Sequence, residues 1–270
     1  MRKSEPLYRI WAFIKHALTA WNTTGEGSHS PYLFELVRFI LRDQNPYYAF
    51  AEIERQRELL LACEDELDVV DFGSQGSPEG IHIRRRVCDI AKGHLERKEV
   101  GQMLFRLVTW LGHQAKRPLN IIELGTSLGV TTAYLAIPNS RNNVVTLEGS
   151  KAVLKVAQGI WKTLKIENIS WIEGNIDCTL YNYTREPLDL AYIDANHTFE
   201  ATMQYANYLL PLLAEKGVIV IDDIHHSKEM ERAWQALKID ERVTTSMDLY
   251  HVGLLFVDPH YLKRNYIITL

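Results

Sequence analysis

Cysteine is scarce in this 270-residue chain, and the three present, Cys63, Cys88 and Cys178, are far apart, odd in number and never in a C-x-x-C pair. That disfavours both a disulfide framework and a zinc site and points to a reducing, cytoplasmic setting. Long apolar runs are also lacking, and none approaches the length of a membrane span. The run near the start, Ile10-Trp-Ala-Phe-Ile14, is broken by Lys15 and His16 and leads to no small-residue cleavage site, so it does not read as a secretory signal. Positive charge is not in excess: 30 Lys and Arg against 34 Asp and Glu leave a net −4, which argues against a nucleic-acid footprint spread over the whole surface. There is no internal repeat and no low-complexity tract. With 46% hydrophobic and 24% charged residues, the composition is that of an ordinary globular protein able to bury a core.

Leu7, Ile10, Phe13, Ile14, Ala17, Leu18 and Trp21 fall at helical spacing on one face, which predicts an amphipathic helix docked on the protein's own core. An interfacial membrane helix, with Arg2, Lys3, Arg9 and Lys15 as its cations, is the less favoured use, and a membrane partner is not expected. A polar loop over 22–30 should end at Ser30, an N-cap ahead of Pro31. Helices are expected over 31–41, 52–62, 81–91 and 100–114, with an acidic, then Gly- and Ser-rich stretch over 63–80 that reads as a linker, or else as a lid over the cofactor. Arg84-Arg-Arg86 would then spread around a helix as a solvated face.

From Asn120 onward strands and helices alternate. Strands are expected near 120–125, 144–148, 169–173, 188–194 and 217–222, and helices near 129–137, 151–165, 199–213 and 228–238, with Ser150 and Ser227 as N-caps. Two further apolar runs, 243–249 and 252–257, are too close for a crossover helix and should form an antiparallel hairpin. The fold class is therefore α/β: a doubly wound, mostly parallel sheet with a C-terminal antiparallel hairpin, preceded by an N-terminal helical extension. The division expected is 1–97 for the extension, acting as a substrate cap, and 98–270 for the main domain.

The first strand of this series runs into a turn with little side chain, Glu123-Leu-Gly125-Thr126-Ser127-Leu-Gly129, and then into a helix whose first N–H groups face back toward it. A dinucleotide turn would read G-x-G-x-x-G and admit a diphosphate, whereas a carboxylate at Glu123 repels one and favours a cationic ligand. The second strand ends on Glu148, where an acid can accept from both hydroxyls of a ribose. On these residues the chain resembles the class I S-adenosylmethionine-dependent methyltransferases over roughly residues 98–257, and among them the metal-dependent O-methyltransferases. The resemblance implies cofactor contacts from Glu123, Gly125, Thr126, Ser127, Gly129 and Glu148, and adenine contacts from the turn at Asn175 and Ile176.

Two later strand ends carry acids: Asp194-Ala-Asn-His197 and Asp222-Asp223-Ile-His225-His226. Parallel strands lie about 4.8 Å apart, so Asp194, Asp222 and Asp223 can converge beside the cofactor turn and hold a divalent cation, Mg²⁺ being favoured by an all-oxygen set. Because side chains alternate along a strand, this requires the strand to end at Asp222. His197, three residues past Asp194, is expected to act as the general base, a hydrogen bond to its own loop being the alternative, with Asp194 as the second catalytic group, shared between metal and cofactor. The catechol branch carries lysine where His197 stands, and Asp-Asn where Asp222-Asp223 stands. The chain is more similar to the sugar-modifying O-methyltransferases. The implied reaction is methylation of a small-molecule hydroxyl, and the alternatives are an RNA methyltransferase using Arg84–Arg86 or a binding protein without turnover.

Overall fold

The computed structural model describes residues 6–20, 31–72, 80–183, 187–261 and 263–269. Trp21, the loop expected over 22–30 with its Ser30 cap, and the Gly-rich stretch 73–79 lie outside the described residues. In chain order the elements are α1 (Pro6–Thr19), α2 (Pro31–Leu36), which continues as a π-helical turn over Val37–Leu41, α3 (Tyr48–Ala62), β1 (Glu66–Asp71), β2 (Ile81–Arg86), α4 (Val87–His94) and α5 (Lys98–Ala115). There follow β3 (Asn120–Leu124), α6 (Val130–Ala136), β4 (Asn143–Glu148), α7 (Lys151–Thr163), β5 (Ile169–Glu173), α8 (Ile176–Thr179), β6 (Leu188–Ile193), α9 (Phe199–Leu209) and β7 (Leu213–Asp222). The chain closes with α10 (Lys228–Leu237), β8 (Thr245–Asp248), β9 (Val252–Phe256) and β10 (Arg264–Ile267). The strands form an eight-stranded sheet in the order β10-β8-β9-β7-β6-β3-β4-β5, and β1 and β2 make a separate two-stranded ribbon. The chain divides into two compact units, one over 44–184 and one made of 2–43 and 185–270, so that residues 1–97 contribute to both.

In the first unit β3, β4 and β5 pair in parallel and in register, Ile122 with Val145 and Val145 with Ser170. Ile121, Ile122, Leu124, Val144 and Leu147 are buried, the near-continuous apolar pattern of strands covered on both faces. A core of Phe50, Ile53, Phe105, Tyr134, Val153, Ala157 and Trp161 joins α3, α5, α6 and α7. The expected linker over 63–80 and helix over 81–91 are corrected here. Glu66–Asp71 and Ile81–Arg86 pair antiparallel, Asp68 opposite Arg84 and Leu67 opposite Arg85. Leu67 and Val69 of the ribbon pack against the core, and acids meet bases across it: Arg84 lies 3.9 Å from Glu66, Arg85 3.7 Å from Asp71, and His82 3.2 Å from Asp68. Arg86 forms a two-pronged bond with Asp89 in α4. Each arginine of the basic run thus has a carboxylate neighbour.

In the second unit β6 is buried at all six positions. It pairs in parallel with β7, which pairs antiparallel with β9, and β9 with β8. The hairpin expected at the C-terminus is therefore present. Beyond it β10, which the sequence did not announce, pairs in parallel with β8. α10 buries Met230, Ala233, Trp234 and Leu237, spaced as one helical face, and Ser227 caps it by accepting from the Met230 N–H at 3.2 Å. Thr198 does the same for α9. Ser150 stands at the N-cap position of α7, but its hydroxyl accepts from the Val70 N–H of β1 instead.

α1 departs from expectation in orientation. Ala12 and His16 are its buried residues, while Ile10, Trp11, Phe13, Ile14 and Leu18 are all more than half exposed. Thus most of the apolar face expected to dock inward faces outward among the described residues, and the helix is held by its polar side together with Phe13, whose ring meets Tyr250 edge-on at 5.2 Å between centroids. His16 Nε2 lies 3.2 Å from an Asp248 oxygen, and the Tyr250 hydroxyl donates to the Arg9 carbonyl at 3.0 Å.

Candidate functional site

Two constellations form at the carboxyl ends of strands, where ligands bind in open α/β sheets. The first lies in the first unit. β3 ends at Leu124 and the chain turns through Gly125 at φ +99°, Ser127 at +48° and Gly129 at +79°. The Gly125 and Thr126 N–H groups donate to the Leu147 carbonyl at 3.0 and 3.1 Å, which pins the turn to β4. At Gly129 a side chain is excluded twice over. The backbone is left-handed, and a Cβ would sit 2.6 Å from the Ala157 Cβ and 2.7 Å from Trp161 Nε1, whose N–H donates to the Gly129 carbonyl. Gly129→Ala should therefore lower stability by about 1–3 kcal/mol, read as a shifted midpoint in urea; an unchanged midpoint would mean that α7 is not held against this turn.

Glu123 is fully buried, and its Oε2 accepts from the hydroxyls of Thr132 and Thr146 at 2.5 and 2.6 Å. Thr126 Oγ1 lies 2.6 Å from Thr146 Oγ1, extending the chain of hydroxyls into the turn. A buried carboxylate is thereby kept at the base of the turn, an environment suited to a cation and not to a diphosphate. Glu148, at the end of β4, accepts from the Ser127 N–H at 2.9 Å with one oxygen and from the Ser150 N–H at 2.8 Å with the other. Both bonds fix the carboxylate in place at the end of β4. Ser127 Oγ is buried without a hydrogen-bond partner. Asn175 accepts from the Asp177 N–H and so caps the short α8, setting Ile176 at its first position. Phe72, just past β1, packs on Gly149 so closely that a Cβ there would meet its ring at 2.6 Å.

The second constellation belongs to the second unit. Asp194 follows β6, His197 precedes α9, and Asp222 is the last residue of β7. His197 Nε2 lies 3.4 Å from Asp194 Oδ1 and 3.8 Å from Asp222 Oδ2. One donor atom from each of the three falls within 4.8 Å of the others. The strand does end at Asp222, because Asp223 turns to φ +53°. That turn carries Asp223 into a pair with His226, 3.1 Å from Nδ1. The set that converges therefore comprises Asp194, His197 and Asp222, with Asp223 one step behind. Burial alone would raise the Asp223 carboxyl, but His226 and the nearby His197 hold it below its ordinary range.

Beside this set is a network the sequence did not reveal. The ring of His225, three residues past Asp222, is buried between two carboxylates: Nδ1 faces Glu231 Oε2, and Nε2 faces Asp248 at 2.9 Å. Burial pushes the imidazole down, yet the bonds to Asp248 and Glu231 outweigh it and lift it to about 9. Asp248 also receives the Trp234 indole N–H at 3.2 Å and the Tyr250 N–H at 3.0 Å. Tyr250 stacks on the His225 ring with centroids 5.5 Å apart. Residues spread over 232 positions meet here, and no local spacing could have signalled it.

Comparison with known proteins bears on the region between these strand ends. Residues 122–224 match the family model of a methyltransferase domain. An O-methyltransferase of Aspergillus hancockii, hkm8, is 33% identical over 115 residues, covering 40% of this chain and 44% of that protein. The chain thus matches less than half the length of this curated relative. Among solved structures, the O-methyltransferase of Bacillus cereus in complex with SAH aligns with a TM-score of 0.54 at 18% identity, over 82% of this chain and 99% of that one. TomG of Streptomyces achromogenes, in complex with SAM, aligns with a TM-score of 0.54 at 16% identity, over 83% and 98%. The SAH-bound methyltransferase PaMTH1 of Podospora anserina gives 0.56 at 15%, over 85% and 96%. At such identities the likeness is one of fold.

Proposed function

From the match of residues 122–224 to a methyltransferase domain, we propose that the protein is a class I methyltransferase that transfers the methyl group of S-adenosylmethionine to a hydroxyl of a small molecule. The observation that carries the reading is Glu148, oriented by two backbone N–H groups at the end of β4, beside a turn that has a buried, unpartnered Ser127 hydroxyl. Glu148 accepts from the ribose hydroxyls, the Gly125–Gly129 turn admits the amino-acid end of the cofactor, and Asn175 and Ile176 border the adenine. Glu148→Ala removes two hydrogen bonds to a charged acceptor and should weaken S-adenosylmethionine binding by about 10–100-fold in calorimetry. Unchanged affinity would remove the cofactor assignment.

Acceptor chemistry falls to Asp194, His197 and Asp222. Two carboxylates and an imidazole within 4.8 Å fit a divalent cation, which would relieve the repulsion between the acids. Asp194 and Asp222 would hold it, and the nearby nitrogen brings Mn²⁺ into contention alongside Mg²⁺. A bound cation would supply a lower pKa for the acceptor hydroxyl. His197 Nε2 receives the hydroxyl proton, and Asp194 and Asp222 stabilise the imidazolium that forms. The carbon–oxygen bond then forms as the methyl–sulfur bond breaks, and holding the reactants in line supplies much of the rate. With His197 standing where the catechol branch carries lysine, a sugar-type hydroxyl is favoured over a catechol as the acceptor.

A further inference from the structure

Among the described residues, α1 is attached mainly by its polar side and is exposed on its apolar side, where Phe13 alone of the large side chains meets another element, edge-on to Tyr250 at 5.2 Å between centroids. Ile10, Trp11, Phe13, Ile14 and Leu18 are 52–81% exposed, whereas the ring of His16 is turned inward to Asp248. An isolated exposed leucine needs no account, but five large apolar side chains on one continuous helical arc form a patch of the kind that marks an interaction surface. Projected around the helix, they span roughly 160°, with Lys15 at one border and Arg9 at the other. The aliphatic stem of Lys15 lies along this border, its ammonium 5.2 Å from the Trp11 ring centroid.

Charge identifies the occupant. The helix Pro6–Thr19 contains no acidic residue. Residues 1–20 hold four cations, Arg2, Lys3, Arg9 and Lys15, against Glu5 alone, a net +3, so with the whole chain at −4 the remaining residues carry −7. A second copy presenting the same patch across a two-fold axis would set cation against cation. An anionic lipid surface meets both needs at once: acyl chains take the apolar arc while Arg9 and Lys15 reach phosphate. No described helix is long and apolar enough to cross a membrane, which leaves α1 the geometry of a helix lying in the interface. We infer that the outward face of α1 binds the surface of anionic membranes. The inference stands on α1 alone and is independent of the methyl-transfer reading.

Sedimentation of the full chain with vesicles tests it. Binding should be stronger to phosphatidylcholine mixed with phosphatidylglycerol than to phosphatidylcholine alone, and should weaken as salt is raised. Replacing Trp11, Ile14 and Leu18 together by serine should lower the partition coefficient by about tenfold or more, and Leu18→Ser alone, at the most exposed position of the face, should lower it measurably without disturbing the fold. Lys15→Glu should cost about fivefold or more on the anionic vesicles and little on the neutral ones. Absence of binding to either vesicle, or binding unchanged in the triple variant, overturns the proposal. A concentration-dependent dimer in sedimentation velocity that Leu18→Ser abolishes, without vesicle binding, assigns the face to a second copy of the chain instead.

Discussion

Asp248→Ala should lower the free energy of unfolding by about 3–5 kcal/mol, the range found when one partner of a buried ion pair is removed and the other is left behind. Here the abandoned partners are the His225 imidazole, the His16 ring and the Trp234 N–H, which all converge on this carboxylate. Asp248→Asn keeps the shape and one acceptor and should cost less. Chemical denaturation followed by tryptophan fluorescence measures both, and a loss under 1 kcal/mol in the alanine variant would show that the network is not part of the folded core. The same contacts set a pH dependence. His225 is lifted from its ordinary 6.5 to about 9, so its contribution is complete below pH 6.5 and is lost progressively as pH rises through 9. A shift of that size corresponds to about 3 kcal/mol. The carboxyls of Asp248 and Glu231 are lowered against the opposing effect of burial, so their contribution is complete above the ordinary carboxylate range and fails as pH falls below it. These are the same bonds seen from each partner and do not add. Stability should therefore plateau from the upper end of the carboxylate range to pH 6.5 and decline on the alkaline side.

His197→Ala should lower kcat by about 10²–10⁴-fold on a hydroxyl acceptor, the loss expected when a positioned base is removed. The deficit should narrow as pH rises, because a more alkaline medium ionises the acceptor without help. Binding of S-adenosylmethionine should persist, since the residues proposed to hold it lie at Glu123–Gly129, Glu148 and Asn175–Ile176. Asp222→Ala, by contrast, should abolish Mn²⁺ binding followed by its paramagnetic signal, whatever the acceptor. An unaltered rate and pH profile in the His197 variant, together with full activity in chelator, would refute this acceptor chemistry and leave the fold untouched.

How far these features could be read from the sequence depended on whether their determinants are local. The alternation from Asn120 onward was legible because each buried strand, such as Ile121-Ile-Glu-Leu124, is an apolar run closed by a turn, and each helix, such as Lys228–Leu237, has a single apolar face. The Gly125–Gly129 turn was legible for the same reason. β1 and β2 were not, since Glu66-Leu-Asp-Val-Val-Asp71 and Ile81-His-Ile-Arg-Arg-Arg86 hold few apolar residues and are strands only as each other's partners across the stretch between them. Arg84 to Arg86 on a helix would have formed a basic surface; on the ribbon they alternate sides and meet acids. Asp223 was grouped with Asp222 because adjacency in sequence suggests a pair, whereas a left-handed φ at Asp223 separates them. α1 was read correctly as an amphipathic helix and wrongly oriented, because periodicity identifies an apolar face without saying what covers it. Only the remote partner, Asp248, reveals that the polar face is the one turned inward.

That remoteness matters during synthesis. His16 and Asp248 are separated by 232 positions, and at roughly 5–20 residues per second a ribosome needs on the order of 10–50 s to cover the interval. Throughout it, the segment that becomes α1 has emerged without the strand end that will hold it. Residues 44–184, which make up one of the two compact units, are synthesised in the meantime. The nascent chain therefore presents an oily, cationic segment over residues 6–19, and whatever captures it, lipid or chaperone, acts before the C-terminal hairpin exists to compete for it.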